Sequence, residues 1–211
     1  LDHPVARVAD LAVDSGAALS QIPVEVTQMR EAGVDLVFLS TNAFFSSVFV
    51  QTAEEQGYRP QYALSDADDN ILDYFVGRMP SSFQSRGYTA KRLGEQRIDA
   101  PEPALDAECR AVVEKATSTT IERGSTAYET AMSACNQVRL FARAAEAAGP
   151  NLTREAWATA MQGLGEFDLA YADGGSYSAQ KFDAADAIRP VTADTGCACW
   201  RPEGDFTPMR Y

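Results

Sequence analysis

Apolar positions change their period several times within the first eighty residues. Ile22, Val26 and Met29 recur at helical spacing behind Ser20-Gln-Ile-Pro23, and Pro23 suits a first turn, where its missing N–H costs nothing. Gly33 stands where a left-handed C-cap is needed. Val34 to Leu39 then runs apolar without alternation, which predicts a strand covered on both faces. Helical spacing returns at Phe45, Val48, Phe49 and Ala53, and Gly57 ends it. Gln61 to Leu64 predicts a short strand, and Asp68 to Val76 a further helix with Ile71, Leu72 and Phe75 inward. Ahead of all this, Val5 to Val13 can form a strand of poor alternation. Strand and helix alternate, so these residues read as parallel α/β. Such a sheet holds ligands at the carboxyl ends of its strands, here Ser40–Phe44 and Ser65–Asp68.

The pattern changes after residue 85. Gly87 to Leu93 fits one strand, and Ala100-Pro-Glu-Pro103 is a stiff linker. Two long helices follow. The first carries Cys109, Val112, Val113 and Ala116; the second, near Thr126 to Ala148, carries Tyr128, Met132, Cys135 and Ala142 and ends at Gly149-Pro150. Thr153 is an N-cap for a third helix, with Leu152 and Trp157 placed as a hydrophobic staple. Asn151-Leu-Thr153 is also a glycosylation sequon, against which the capping role is preferred. From Gly165 the chain is strand-like and glycine-rich, and Cys197-Ala-Cys-Trp200 sits near a final strand.

Composition narrows the function. The 211 residues are 45% hydrophobic and 23% charged, as in ordinary globular proteins. A net charge of -12 argues against a nucleic-acid partner and a polybasic membrane surface. No run approaches the roughly 18 apolar residues of a membrane helix. The chain starts at Leu1 without a Met, so an absent N-terminal segment is expected, a removed targeting segment among the options.

The four cysteines, Cys109, Cys135, Cys197 and Cys199, fit either four buried thiols or two disulfides. Pairing Cys109 with Cys135 and Cys197 with Cys199, in an oxidising compartment, is the preferred reading, since Cys109 and Cys135 both lie on apolar helix stripes. One histidine, His3, leaves no basis for a mixed Cys/His zinc site or a serine-hydrolase triad. Phosphate-loop and dinucleotide fingerprints are absent. Asp66-Ala-Asp-Asp-Asn70 starts like a calcium loop, but its sixth position is Ile71 and its twelfth Gly77. Glu54-Glu55 falls on a helix exterior as a solvated pair. No metal or cofactor is expected.

Val26 to Asp66 runs helix, Met-Arg-Glu-Ala-Gly-Val-Asp, apolar strand, helix, Gly-Tyr-Arg-Pro, strand, Ser-Asp. With Ala144-Ala-Glu-Ala-Ala-Gly149 before Asn-Leu-Thr-Arg-Glu155, and with Cys197-Ala-Cys-Trp200, this order resembles the type I periplasmic ligand-binding proteins, the branched-chain amino-acid-binding type that serves ABC importers. The resemblance covers nearly the whole chain and matches the family's C-terminal half. It implies an α/β fold, a parallel sheet flanked by helices, with crossing strands and helices that belong to a partner lobe. Residues 1–85 would be most of the second ligand-binding lobe. Residues 86–165 would hold a hinge strand and helices packing on the first lobe. Residues 166–211 would cross back and add C-terminal strands. The first lobe has no counterpart here. Left alone, the apolar stripes of residues 106–148 would lack a sheet to cover them.

The resemblance also implies a function: an extracytoplasmic, non-enzymatic receptor that closes on a small polar ligand, an amino acid or similar, and delivers it to the membrane subunits of an ABC importer or to a sensor. The place implied is the periplasm or the extracellular face, with any lipid anchor at an N-terminus preceding Leu1. The ligand residues implied are Thr41, Asn42, Phe44, Ser65 and Asp66. Asp66 keeps the acid that meets a ligand's ammonium, whereas Asn42 departs from the aromatic that members of this type commonly have. Tyr62 is a second candidate for an apolar wall, with core packing its favoured role. An α/β enzyme acting on a small polar metabolite is the alternative.

Overall fold

Side-chain capping, and not apolar spacing, sets where the first helix begins. In the computed structural model, which describes residues 4–64, 73–91 and 101–209, helix α1 spans Ser15–Glu31 instead of opening at Ser20. Asp14 is its N-cap, its carboxylate accepting from the Ala17 N–H at 2.8 Å. Pro23 therefore falls inside the helix and not in its first turn. Its ring removes one ladder bond. Complete burial of Ile22 and Val26 to either side holds the helix together. The Pro23 carbonyl still accepts from the Thr27 hydroxyl at 2.9 Å and the Gln56 amide at 3.1 Å. Gly33 follows with φ at 68° and donates to the Arg30 carbonyl, closing the helix as expected.

The chain folds as two compact units, Leu1–Ala90 with Pro190–Glu203 and Lys91–Arg189 with Gly204–Tyr211. The first is the α/β unit. β1 (Leu36–Leu39), α2 (Ala43–Glu55), β2 (Gln61–Leu64), α3 (Asp73–Val76) and β3 (Gly87–Lys91) follow α1 in the alternation the sequence predicts. The expected start of α3 at Asp68 and the expected end of β3 at Leu93 lie outside the described residues. β1 pairs with β2, and β2 with β3, all parallel. β6 (Ala187–Asp194) lies beside β3, and β7 (Cys199–Pro202) pairs antiparallel with β6, giving the order β1-β2-β3-β6-β7.

Two expectations for this unit are corrected. Val5 to Val13 is irregular and not a strand, with Val5, Val8 and Val13 exposed. The described residues offer it no strand to pair with, and an unpaired strand leaves its backbone groups unsatisfied. Side chains tether it instead: Arg7 meets Glu25 at 2.6 Å, and the Ala12 N–H donates to Gln21 at 2.8 Å. The expectation of two covered faces for β1 also fails. Val37 and Leu39 are buried, but Leu36 is 56% and Phe38 64% exposed. Helices α1 and α2 bury Ile22, Val26, Phe49, Val50 and Ala53 in one cluster with Val37, Leu39, Tyr62 and Leu64, so only that face of β1 is sealed.

An aromatic knot closes the far side of the same core. Phe83 sits 5.5 Å from Tyr62 and 6.0 Å from Phe75, centroid to centroid, and Trp200 stacks on Phe75. The Trp200 N–H on the backbone donates to Asp73 at 3.0 Å, tying β7 to α3. Phe83 presses on Gly87 so closely that a Cβ there would lie 2.2 Å from its ring.

The second unit is helical with short strands. α4 (Ala104–Thr117), α5 (Thr126–Ala148) and α6 (Arg154–Gln162) come first. Ser125 and Thr153 cap α5 and α6, each accepting from the N–H three residues on. β4 (Gly165–Glu166) and β5 (Ser176–Tyr177) form a two-stranded ribbon, and β8 (Thr207–Pro208) pairs with Ala187 and Ile188 of β6. Cys109 of α4 and Cys135 of α5 are bonded, their Cα atoms 5.7 Å apart. Cys197 and Cys199 are bonded across a turn in which Ala198 has φ at 55°. No cysteine is free, so the four-thiol alternative falls. Val112 was expected on the inward stripe of α4, yet it is 62% exposed, as are Val138 and Phe141 of α5 to a similar degree. Trp157 packs on Phe141 at 5.1 Å, while Leu152 stays exposed.

Two stability outcomes follow. The Cys109–Cys135 bridge closes a separation of 26 residues. Cys109→Ser with Cys135→Ser should cost about 3–4 kcal/mol by chain entropy. Equilibrium urea unfolding of the natural protein measures it, and an unchanged midpoint would show that the helix pair needs no staple. Gly87→Ala should cost about 1–3 kcal/mol by overpacking against Phe83. Phe83→Leu in the same chain should recover part of that loss, as contacting residues couple; strict additivity in thermal melts would remove the clash as the cause.

Candidate functional site

Parallel pairing decides which loops meet. Leu36 to Leu39 align one for one with Gln61 to Leu64, so Leu39 and Leu64 end side by side. The chain leaving Leu39 and the chain leaving Leu64 thus emerge at one edge of the sheet. The first carries Ser40, Thr41, Asn42 and Phe44. The second carries Ser65 and Asp66, which lie outside the described residues. The Thr89 hydroxyl of β3 donates to the Leu64 carbonyl at 2.9 Å, fixing the end of β2 from the neighbouring strand.

Asn42 is the N-cap of α2. Its side-chain oxygen accepts from the Phe45 N–H at 3.1 Å, and its carbonyl accepts from the Ser46 N–H at 3.0 Å. Capping occupies the amide oxygen, and the side-chain nitrogen faces a largely exposed environment. Helix geometry gives the Ala43 and Phe44 N–H groups no intrahelical acceptor, so the start of α2 presents backbone donors and the positive end of its dipole. Thr41 is half-buried, its carbonyl accepting from the Ser46 hydroxyl at 3.3 Å. Phe44 is 52% exposed, its ring edge-on to Phe45 at 5.3 Å. Together these residues offer an apolar wall, an amide and backbone N–H groups, a set suited to holding a small polar molecule without covalent chemistry.

Tyr62 is 3% exposed and packs on Phe83, so it belongs to the core. Burial raises its phenol well above the usual range. Tyr58 donates to the Val34 carbonyl at 2.7 Å, and burial, with the Asp35 carboxylate nearby, pushes its phenol up to about 12. Glu54 is not simply solvated. The Arg59 guanidinium binds it at 2.6 Å and the Ser82 hydroxyl donates to it, which holds its carboxyl down to about 2. Among the described residues no cluster of three His, Cys, Asp or Glu could hold a metal ion.

The second unit contains a buried polar cluster that no periodicity or motif announces. Asp106 of α4 is 1% exposed, accepting from the Tyr171 N–H at 3.0 Å and the Tyr128 hydroxyl at 3.2 Å. Tyr171 holds φ at 60° and donates its hydroxyl to Glu129 at 3.3 Å. Glu102 accepts from Tyr128 at 3.1 Å and pairs with Arg110 at 2.7 Å. Burial raises the Asp106 carboxyl, while the Arg110 guanidinium lowers that of Glu102. The cluster docks the loop before β5 onto the α4–α5 pair. A tyrosine in a left-handed conformation has no sequence signature, since glycine and asparagine are the residues expected there.

Because the folded state raises the Asp106 carboxyl, it binds that proton more tightly than the unfolded chain. The stability this contributes is complete below the unfolded value of 3.8 and is lost as pH rises through the folded value. Asp106→Asn lacks that loss. Its stability relative to the natural protein should therefore improve as pH rises from 3.8, and denaturant midpoints across that interval measure it. A pH-independent difference would mean that burial does not govern this carboxyl.

No protein-family model and no curated protein matches the chain. Solved structures do. A branched-chain amino acid ABC transporter protein from Thermus thermophilus with bound valine superposes at TM-score 0.63 and 15% identity, over 88% of this chain and 49% of its own. A substrate-binding protein of an ABC transporter from Aeropyrum pernix gives 0.70 and 12%, over 95% and 51%. A fatty acid ABC transporter substrate-binding protein from Thermomonospora curvata gives 0.60 and 16%, over 89% and 47%. At these identities the likeness establishes fold. The chain spans about half the length of the structures it matches, and over that half it has the α/β fold of the type I periplasmic-binding proteins.

Proposed function

We propose that this chain is the C-terminal half of a solute-binding receptor that holds a small polar ligand outside the cytoplasm and presents it to the membrane subunits of an ABC importer. The observation that supports it is the alignment of Leu39 with Leu64, which ends β1 and β2 side by side in a fold shared with substrate-binding proteins; Asn42 follows the first strand in the sequence and Asp66 the second. In this reading residues 1–85 are most of the second lobe, residues 86–165 the hinge strand and helices packing on the first lobe, and residues 166–211 the return crossing. The exposed Val112, Val138 and Phe141 then meet the first lobe, supplied by an N-terminal part of the same protein. The receptor performs no covalent chemistry: binding and release are its whole task.

The ligand class follows from the donors and acceptors. An acidic group on the ligand meets the Ala43 and Phe44 N–H groups at the start of α2, where the helix dipole favours negative charge. An ammonium meets Asp66, and Phe44 and Thr41 flank the remainder. A zwitterion such as an amino acid satisfies both ends. The neighbours divide on this point, one holding valine and another being named for fatty acid transport, so the Asp66 contact is the discriminating one.

Native mass spectrometry of the protein expressed from its complete gene in its own host tests the reading directly. A co-purified small molecule that rebinds saturably without being converted supports it, and turnover of that molecule would transfer the chain to the α/β enzymes. With an ammonium-bearing ligand, Asp66→Ala should cost about 2–4 kcal/mol of binding, because one charge of a buried pair is left alone; calorimetry should read roughly 30-fold or more in affinity. Unchanged affinity in a folded variant would make Asp66 a surface acid.

Asn42 needs a test that separates capping from binding. Asn42→Asp keeps the capping oxygen and replaces the amide donor, so the melting temperature should hold or rise. Affinity should fall by at least about 5- to 30-fold, the loss of one neutral hydrogen bond, and further where the new carboxylate repels an acidic group on the ligand. Asn42→Ala should lose both. If Asn42→Asp binds like the parent, Asn42 serves the helix alone.

A further inference from the structure

The two disulfides differ in what they hold and in how open they are to attack. Cys109 is 1% exposed inside the second unit, and its bridge joins two helices across a separation of 26 residues. Cys197 is exposed and Cys199 half-buried, and their bridge spans a separation of 2 at the tip of the β6–β7 hairpin. The gain from a cross-link grows with the length of the loop it closes, so the second bridge adds less to folding. The hairpin is closed without it. Asp194 pairs with Cys199 and Ala193 with Trp200 in the strand ladder. Gln84 accepts from the Thr195 N–H at 2.7 Å and from the Thr195 hydroxyl at 2.9 Å, and the Asp194 carboxylate accepts from the Gly196 N–H at 2.8 Å. What the bridge confines is the residue inside it. Ala198 stands at φ 55°, where a side chain bearing Cβ is costly, and opening the ring lets it leave.

The same tip is the seat of α3. A Cβ at Gly77, directly after α3, would lie 3.3 Å from the Cβ of Ala198. Trp200, next to Cys199, donates its backbone N–H to Asp73 at 3.0 Å and stacks on Phe75. Both ends of this four-residue helix therefore rest on neighbours of the two cysteines. We infer that Cys197–Cys199 is a thiol–disulfide exchange site for a dithiol reductant, and that opening it loosens the seat of α3. Exposed bridges are the ones that exchange, whereas buried structural ones resist. A thiolate of the dithiol attacks the exposed Cys197 sulfur. The S–S bond breaks, and its electron pair leaves with the Cys199 sulfur, which takes up a proton. The second thiolate of the reductant then attacks the mixed disulfide and releases Cys197, which takes up another. Two electrons have passed to the bridge, and the dithiol has become a disulfide. Arg201 pairs with the Asp194 carboxylate beside the tip, which offsets its repulsion of the incoming thiolate. Neither the exchange nor the contact with α3 depends on the solute-binding reading, so either can fail alone.

The test uses the oxidised protein expressed from its complete gene. Native protein is treated with dithiothreitol for increasing times, quenched with acid and alkylated, and the alkylated peptides are read by mass spectrometry. Cys197 and Cys199 should be labelled at least about 100-fold faster than Cys109 and Cys135, whose bridge opens only when the helix pair does. Equal rates, or no labelling of Cys197 and Cys199 before denaturation, would overturn the inference. Hydrogen exchange of the selectively reduced protein reads the second half. The Trp200 backbone amide and the amides of α3 should exchange about 10-fold faster or more than in the oxidised protein, with α1 and α2 unchanged. Cys197→Ser with Cys199→Ser should keep the Cys109–Cys135 bridge and show the same fast exchange with no reductant present. Protection of α3 equal to that of the oxidised parent, in the reduced protein or in the variant, would show that the bridge does not seat the helix and would sink the proposal.

Discussion

The in-register parallel pairing of β1 with β2 is the constraint from which the rest of the first unit follows. Side chains alternate across a strand, so the register that puts Val37 beside Tyr62 and Leu39 beside Leu64 buries all four under α1 and α2. A slip of one residue would bring Leu36 and Phe38 inward and turn the four buried residues out. The same register ends both strands at one level, Leu39 beside Leu64. The pairing that forms the core thus also sets where the start of α2, with Asn42, stands.

Local chemistry then positions individual groups on that frame. Asn42 caps α2, accepting from the Phe45 N–H and leaving the first two N–H groups of the helix without an intrahelical acceptor. Capping uses the oxygen of that amide. Thr89 secures the end of β2 from β3, and the Arg59–Glu54–Ser82 contact ties the end of α2 to the turn before β3. The first contact sits at the carboxyl end of β2 and the second at the opposite end of the sheet, so both ends of β2 are held.

The second unit is built on a different principle. Its core is small, and a disulfide and a hydrogen-bonded acidic cluster supplement it. Cys109 and Asp106 lie one helical turn apart on α4; the first bonds α5 and the second holds the left-handed Tyr171. The loop after β5 is tightened by Lys181, whose ammonium donates to the carbonyls of Ser176, Asp183 and Ala184 and lies near the carboxylates of Asp183 and Asp186. One buried cation thereby satisfies three backbone oxygens that would otherwise lose their water.

The sequence by itself determined the alternation of helix and strand, the ends of α1 and α2 at Gly33 and Gly57, the span of β2, the extent of α5 and the Thr153 cap, and it favoured the cysteine pairs that the structure then decided. Each feature so determined is set by a local rule: a period, a glycine free to take positive φ, or a hydroxyl beside an orphan N–H. The tertiary structure decided what depends on neighbours. Val5 to Val13 has strand composition but no partner, so it does not become a strand. Leu36 and Phe38 belong to an apolar run, yet only one face of β1 is covered, so they stand exposed. Asp14 wins the start of α1 from Ser20 because its carboxylate reaches an N–H three residues on and the proline can be carried inside a helix whose buried face is complete. Which loops share an edge is likewise a property of strand pairing, and no stretch of sequence states it alone. Hydrophobic period and capping act over a few residues, whereas exposure and convergence are fixed by residues distant in the chain.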